Sequence, residues 1–181
     1  FIGFGKYHAI EVDDDVTAYV EYENGATGVF ITTTGEAPGT NRLEITGDRG
    51  KLLLENDQIT FWRTEVPVGQ FRREWKGGFG MPPVWKCDIS PTAAGGGHVG
   101  ICKNWIAAIR GDEPLLAAGQ EGINGVELSN AMLLSAWLDD WVDIPVDEDL
   151  FYAKLQEKIA TSTVVKEDAD TVMDTDGTFG T

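Results

Sequence analysis

The sequence has no methionine at its start: Met81, Met132 and Met173 are all internal. Its opening, Phe1-Ile2-Gly3-Phe4-Gly5, lacks the basic stretch and small-residue cleavage site of a secretory leader. It reads as the middle of a strand, and the chain is expected to be the later part of something longer. No apolar run approaches the roughly 20 residues of a membrane span, so a soluble globular chain without a membrane partner is expected. Basic residues are scarce, 14 against 30 acids, for a formal net charge of −16. That balance argues against nucleic acid, whose phosphates need Lys and Arg, and against an anionic membrane surface. The only cysteines, Cys87 and Cys102, have neither CxxC spacing nor the numbers for a disulfide framework, which makes a cytoplasmic setting the expectation. Cys102 reads as a small hydrophobe on the buried face of a helix. The two histidines, His8 and His98, are too far apart in sequence to suggest a metal site.

What is present is enough for a core: 42% of the 181 residues are apolar. The length suits one domain, residues 1–161, followed by an acidic tail, residues 162–181, in which Glu167, Asp168, Asp170, Asp174 and Asp176 favour solvation. The first two-thirds have strand character. Val16, Ala18, Val20 and Tyr22 alternate with Thr17, Tyr19 and Glu21, and Asn24-Gly25 predicts a type I′ turn into a returning strand, Ala26 to Thr34. Arg42–Ile45, Lys51–Leu54 and Ile59–Arg63 follow, separated by Gly47-Asp48-Arg49-Gly50 and Asn56-Asp57 turns, an antiparallel meander. Val66 to Trp75 is expected to add a strand, and Gly77 to Gly97 an irregular loop of the length that carries function.

The last third has helix character. Val99, Cys102, Ile106 and Ile109 form one apolar stripe, stopped by Arg110, Gly111 and Pro114. A second helix is expected from Gln120 to Leu138, apolar nearly all round from Ala131. Asp147 is expected to cap a third, with Phe151, Leu155 and Ile159 on its buried face. Strands grouped before helices predict an α+β fold: a mostly antiparallel sheet, helices on one face, the other face open and suited to oligomerisation.

No complete active site stands out. Gly3-Phe4-Gly5 is only the beginning of a dinucleotide fingerprint and no helix follows it. Gly95-Gly96-Gly97 before a helix offers free N–H groups to an anion, or is plain loop-to-helix geometry. His98 at that helix start is a candidate for hydrogen bonding a polyol, or an exposed cap residue; His8 reads as a strand-edge residue. The Glu11 and Asp13-Asp14-Asp15 run reads as a solvated turn. Of six tryptophans, Trp105 and Trp137 are expected in the core. Trp85, in the long loop beside Lys86, is the candidate for stacking on a carbohydrate. The substrate-binding candidates are therefore Trp85, Lys86 and His98, with no catalytic, cofactor-binding or metal-binding residue assigned.

The run Val16-Thr17-Ala18-Tyr19-Val20-Glu21-Tyr22-Glu23-Asn24-Gly25-Ala26-Thr27-Gly28 resembles the first hairpin of the C-terminal domain of the Gfo/Idh/MocA oxidoreductases. The likeness continues through Thr34 to Ile45, Gly47-Asp48-Arg49-Gly50-Lys51-Leu52, Glu121-Gly122-Ile123 and Glu127 to Trp137. The resemblance implies a parent enzyme with an N-terminal Rossmann domain binding NAD or NADP. Its C-terminal domain would shape the site for a sugar, inositol or related polyol and self-associate through its open sheet. The family's Glu-Lys-Pro and Asp-x-x-x-His motifs belong upstream of the matched segment and have no counterpart here. The segment is therefore expected to bind no cofactor and to be inactive alone, with substrate contacts placed by loop position on residues 34–42 and 85–98. The alternatives are a stand-alone sheet-mediated assembly module and a carbohydrate-binding module using Trp85.

Overall fold

The computed structural model describes residues 2–3, 6–7, 11–90 and 96–165. The expectations for His8, Gly95 and the acidic tail from residue 166 onward lie outside them. The chain divides into two compact units, Phe1–Glu36 with Gly119–Thr181, and Ala37–Ala118. All strand pairings are antiparallel and the helices follow most of the strands, an α+β fold.

The first unit begins with a short pair, β1 (Ile2–Gly3) and β2 (Lys6–Tyr7), and the hairpin β3 (Asp15–Glu21) and β4 (Thr27–Thr33). Strand periodicity separates its faces: Val16, Ala18 and Val20 are half-buried, whereas Thr17, Tyr19 and Glu21 are exposed. Val29 and Ile31, opposite Tyr19 and Thr17, share the exposed face. The turn is not the expected type I′. Gly25 alone has positive φ, its N–H bonds to the Tyr22 carbonyl, and the Tyr22 N–H bonds to Ala26. This is a three-residue loop with glycine in the left-handed position. Asn24 keeps negative φ and its Oδ1 accepts the Ala26 N–H at 2.9 Å.

A 3-10 turn at Gly119–Glu121 leads into α3 (Gly122–Leu138), and α4 (Glu148–Thr161) returns against it. Ala131 and Leu134 on α3 are buried, as the all-round apolar stretch requires. Trp137 stacks on Phe151 at 5.4 Å, and Lys158 lies over the same indole. Asp147 caps α4 as expected, accepting the Leu150 N–H at 3.0 Å. Beyond α4, Thr163 donates its N–H and hydroxyl to Glu11 across 152 positions. These bonds, with one from the Ser162 side chain first among them, hold the Glu11 carboxyl below the usual range.

The second unit is a four-stranded sheet in the order β5 (Arg42–Gly47), β6 (Gly50–Glu55), β7 (Gln58–Thr64), β8 (Val84–Ile89). Register aligns Leu43, Leu54, Ile59 and Ile89 in one row, and Ile45, Leu52, Phe61 and Cys87 in the next, giving an apolar face. The other face is mostly polar, with Glu44 between Arg42 and Lys51; a hydrogen bond from Arg42 first, and the Lys51 charge after it, lower its carboxyl. Gly50 sits at φ +140°, where an added Cβ would lie 2.0 Å from the Trp62 carbonyl oxygen.

Two expected elements differ. Val66 to Trp75 contains a helix, α1 (Val68–Glu74), because Asp48 caps it from a distance: its carbonyl accepts the Val68 N–H and its carboxylate the Gly69 N–H. The supposed loop from Gly77 contains β8, whose Trp85, Cys87 and Ile89 alternate with Lys86 and Asp88. The helix α2 (Gly97–Arg110) ends on Gly111 at φ +79°, as expected. Its stripe, however, is exposed, Cys102 and Trp105 included, contrary to their assignment to the core. Periodicity marks the face a helix can bury; it does not supply the surface that buries it. Asn104 holds the following loop to this helix, donating to the Pro114 carbonyl and accepting the Leu116 N–H at 2.8 Å.

Candidate functional site

Successive residues on a strand point to opposite faces, so β8 separates the expected partners Trp85 and Lys86. Trp85, half exposed, pairs across the apolar face with Arg63, whose guanidinium lies 5.8 Å from the ring centroid. Lys86 lies on the polar face opposite Trp62 and approaches Asp88 at 3.8 Å. His98 is exposed in the first turn of α2, and no hydrogen bond or ion pair joins it to either residue among those described.

The structure instead brings parts of the two expected substrate segments, Thr40 with Asn41 and Asp88 with Ser90, to one end of the four-stranded sheet. There the Asn56-Asp57 turn, with φ of 51° and 57°, closes β6 onto β7 through the Glu55–Gln58 pair. Asparagine and aspartate suit this two-residue turn because they tolerate the left-handed conformation. A shallow depression of about 430 Å³ on one side is lined by Thr40, Asn41, Leu54, Glu55, Asn56 and Asp57. Another of about 290 Å³ is lined by Asp57, Gln58, Thr60, Asp88 and Ser90 over Ile59 and Ile89. Asp57 borders both. Sequence reasoning named the loops containing Thr40, Asn41, Asp88 and Ser90 but missed Asn56, Asp57 and Gln58, which read only as a turn.

The side chains at this end are mostly polar hydrogen-bonding groups. Carboxylates accept from alcohols, amides donate and accept, and Thr and Ser do both. Glu55, Asp57 and Asp88 make it unsuited to phosphate or carboxylate ligands. Among the described residues no group of three His, Cys, Asp or Glu side chains is placed to hold a metal ion. Trp85 stands four residues along β8 from Ile89, about 13 Å at strand rise, and so away from this end.

A glycine spacing that sequence reasoning passed over, Gly95, Gly97 and Gly100, has the order G-x-G-x-x-G, and its last two glycines lie in the first turn of α2. It does not fit a dinucleotide cradle. That motif belongs to a parallel strand–helix–strand unit with an acid beyond, whereas β8 is antiparallel to β7 and α2 leads to a 3-10 turn and another helix.

Antiparallel strands followed for the most part by helices define a class of α+β domain. A family described as the C-terminal alpha/beta domain of an oxidoreductase family matches residues 4–144, and the chain belongs to it: this is a Gfo/Idh/MocA C-terminal domain. Enzymes of this family generally use NAD or NADP. No curated protein matches the chain. Among the described residues no helix is long and apolar enough to cross a membrane.

Proposed function

We propose that this domain forms the substrate side of an NAD(P)-dependent oxidoreductase acting on a sugar, inositol or related polyol. The observation that carries the proposal is the convergence of Thr40, Asn41, Asn56, Asp57, Asp88 and Ser90 on one end of the sheet. In this reading the polar side chains orient neutral hydroxyls, while Lys86 holds Asp88 from the same face. The nicotinamide would supply hydride transfer from another domain; this segment binds no cofactor and is inactive alone. The exposed hairpin face of Tyr19, Val29 and Ile31 is its self-association surface, and its free thiols suit a cytoplasmic setting.

Calorimetric titration with myo-inositol and glucose tests the site. Asp57→Ala and Asp88→Ala are each expected to weaken binding about tenfold, the effect of losing a hydrogen bond to a charged group. Trp85→Ala should leave it unchanged. The exposed ring of Trp85 favours a second reading, a stacking site on the apolar face. Loss of binding in Trp85→Ala, with the aspartate variants unaffected, would establish that one instead. The orientation of a ligand toward His98 is tested by His98→Ala in the same series.

A further inference from the structure

Only two of the chain's asparagines precede a glycine, Asn24 and Asn124. A glycine in that place leaves its peptide nitrogen open to the side-chain amide carbon of the asparagine, because no Cβ stands in the way. The same dipeptide therefore occurs twice, and the fold gives each occurrence a different backbone.

Asn24-Gly25 lies at the tip of the β3–β4 hairpin, where both residues are exposed. Gly25 is at φ +81°, and an added Cβ there would meet nothing within 4 Å. The Asn24 side chain folds back along the turn, its Oδ1 accepting the Ala26 N–H at 2.9 Å. The ring closed by this bond contains both the Asn24 Cγ and the Gly25 nitrogen, so the two are kept close. Its donor also stands at the oxygen on which negative charge would develop if Cγ were attacked. One exposed turn bond restrains the nitrogen: the Gly25 N–H donates to the Tyr22 carbonyl at 2.8 Å.

Asn124-Gly125 lies inside α3. In helical backbone each N–H is directed along the axis toward the carbonyl four residues back, away from the side chain before it. The Ser129 hydroxyl further fastens the Gly125 carbonyl at 2.9 Å. Attack at Asn124 requires α3 to open locally first. The other turn asparagine, Asn56, precedes Asp57, whose side chain crowds the nitrogen.

We propose that Asn24 is a site of spontaneous covalent modification, in which the Gly25 nitrogen displaces the side-chain amide as ammonia. The nitrogen bonds to the Asn24 Cγ, its proton passes through water to the departing Nδ2, and the Cγ–Nδ2 bond breaks. Water then opens the cyclic imide at either carbonyl, giving aspartate or isoaspartate with no change of oxidation state. Both products place a new negative charge beside Glu23. Isoaspartate also inserts a methylene into the main chain of the loop. Loop length fixes hairpin register, so the Tyr22–Ala26 bond and the Glu21–Thr27 pair are where this product disturbs the fold.

Peptide mapping by mass spectrometry of the full chain, held folded in mildly alkaline buffer, tests the assignment. The Asn24 peptide is expected to convert at least about tenfold faster than the Asn124 peptide, because only the latter waits on opening of a helix. It should resolve into separate aspartyl and isoaspartyl forms. In urea, where α3 is lost, the two rates should converge. Asn24→Gln, whose longer side chain cyclises far more slowly, should abolish conversion in the hairpin peptide with an unchanged circular dichroism spectrum. Equal rates in the folded chain, no conversion at Asn24, aspartate without isoaspartate, or a ratio that persists in urea would overturn the proposal.

Discussion

Gly50 shows how a single residue fixes the geometry on which the second unit depends. At φ +140°, with a would-be Cβ 2.0 Å from the Trp62 carbonyl oxygen, it has no substitute that leaves β6 against β7 undisturbed. Gly50→Ala is expected to cost at least about 2 kcal/mol through backbone strain and displaced pairing, read as a lowered urea midpoint. Glu11 acts differently, as a clasp on Thr163. Its carboxyl is held below the usual range in the folded chain, so the clasp contributes above the ordinary glutamate value of about 4.3 and is lost as pH falls through the lower folded value. The Thr163 amide resonance should therefore move at acid pH in the wild type, and should sit at its released position at neutral pH in Glu11→Gln.

At the scale of elements, local chemistry was legible where the partner lies nearby in sequence. The Asp147 cap and the Gly111 stop needed only neighbouring residues, and both are found. Asp147→Ala should destabilise α4 by about 1 kcal/mol, measured by loss of helical signal on heating. Elements that depend on distant partners were not legible. The helix α1 draws its cap from Asp48, 21 positions before Gly69, and β8 exists because β7 offers it a paired edge. The candidate site falls between these cases. Its loops were visible as loops, but that Thr40 lines a depression on one side of Asp57 and Ser90 one on the other requires the four-strand register. Trp85 and Lys86 looked like one site as neighbours in sequence; on a strand, that same adjacency separates them.

At the scale of the whole molecule, composition gave the net charge and missed its distribution. The acids are concentrated in the first unit and the arginines are confined to the second. The second unit, with ten basic residues against nine acids, is close to neutral, so the net charge of −16 belongs essentially to the first.

We propose a division of labour, in which this chain would recognise the polyol and another domain would hold the cofactor. An NMR titration of the uniformly ¹⁵N-labelled chain with myo-inositol, and separately with NADH, tests it most directly. The account predicts that inositol moves the amides of Asn41, Asn56, Asp57 and Ser90, and that NADH moves none. Saturable shifts of Gly97 to Gly100 with NADH, or no shift at the Asp57 end with inositol, would contradict it.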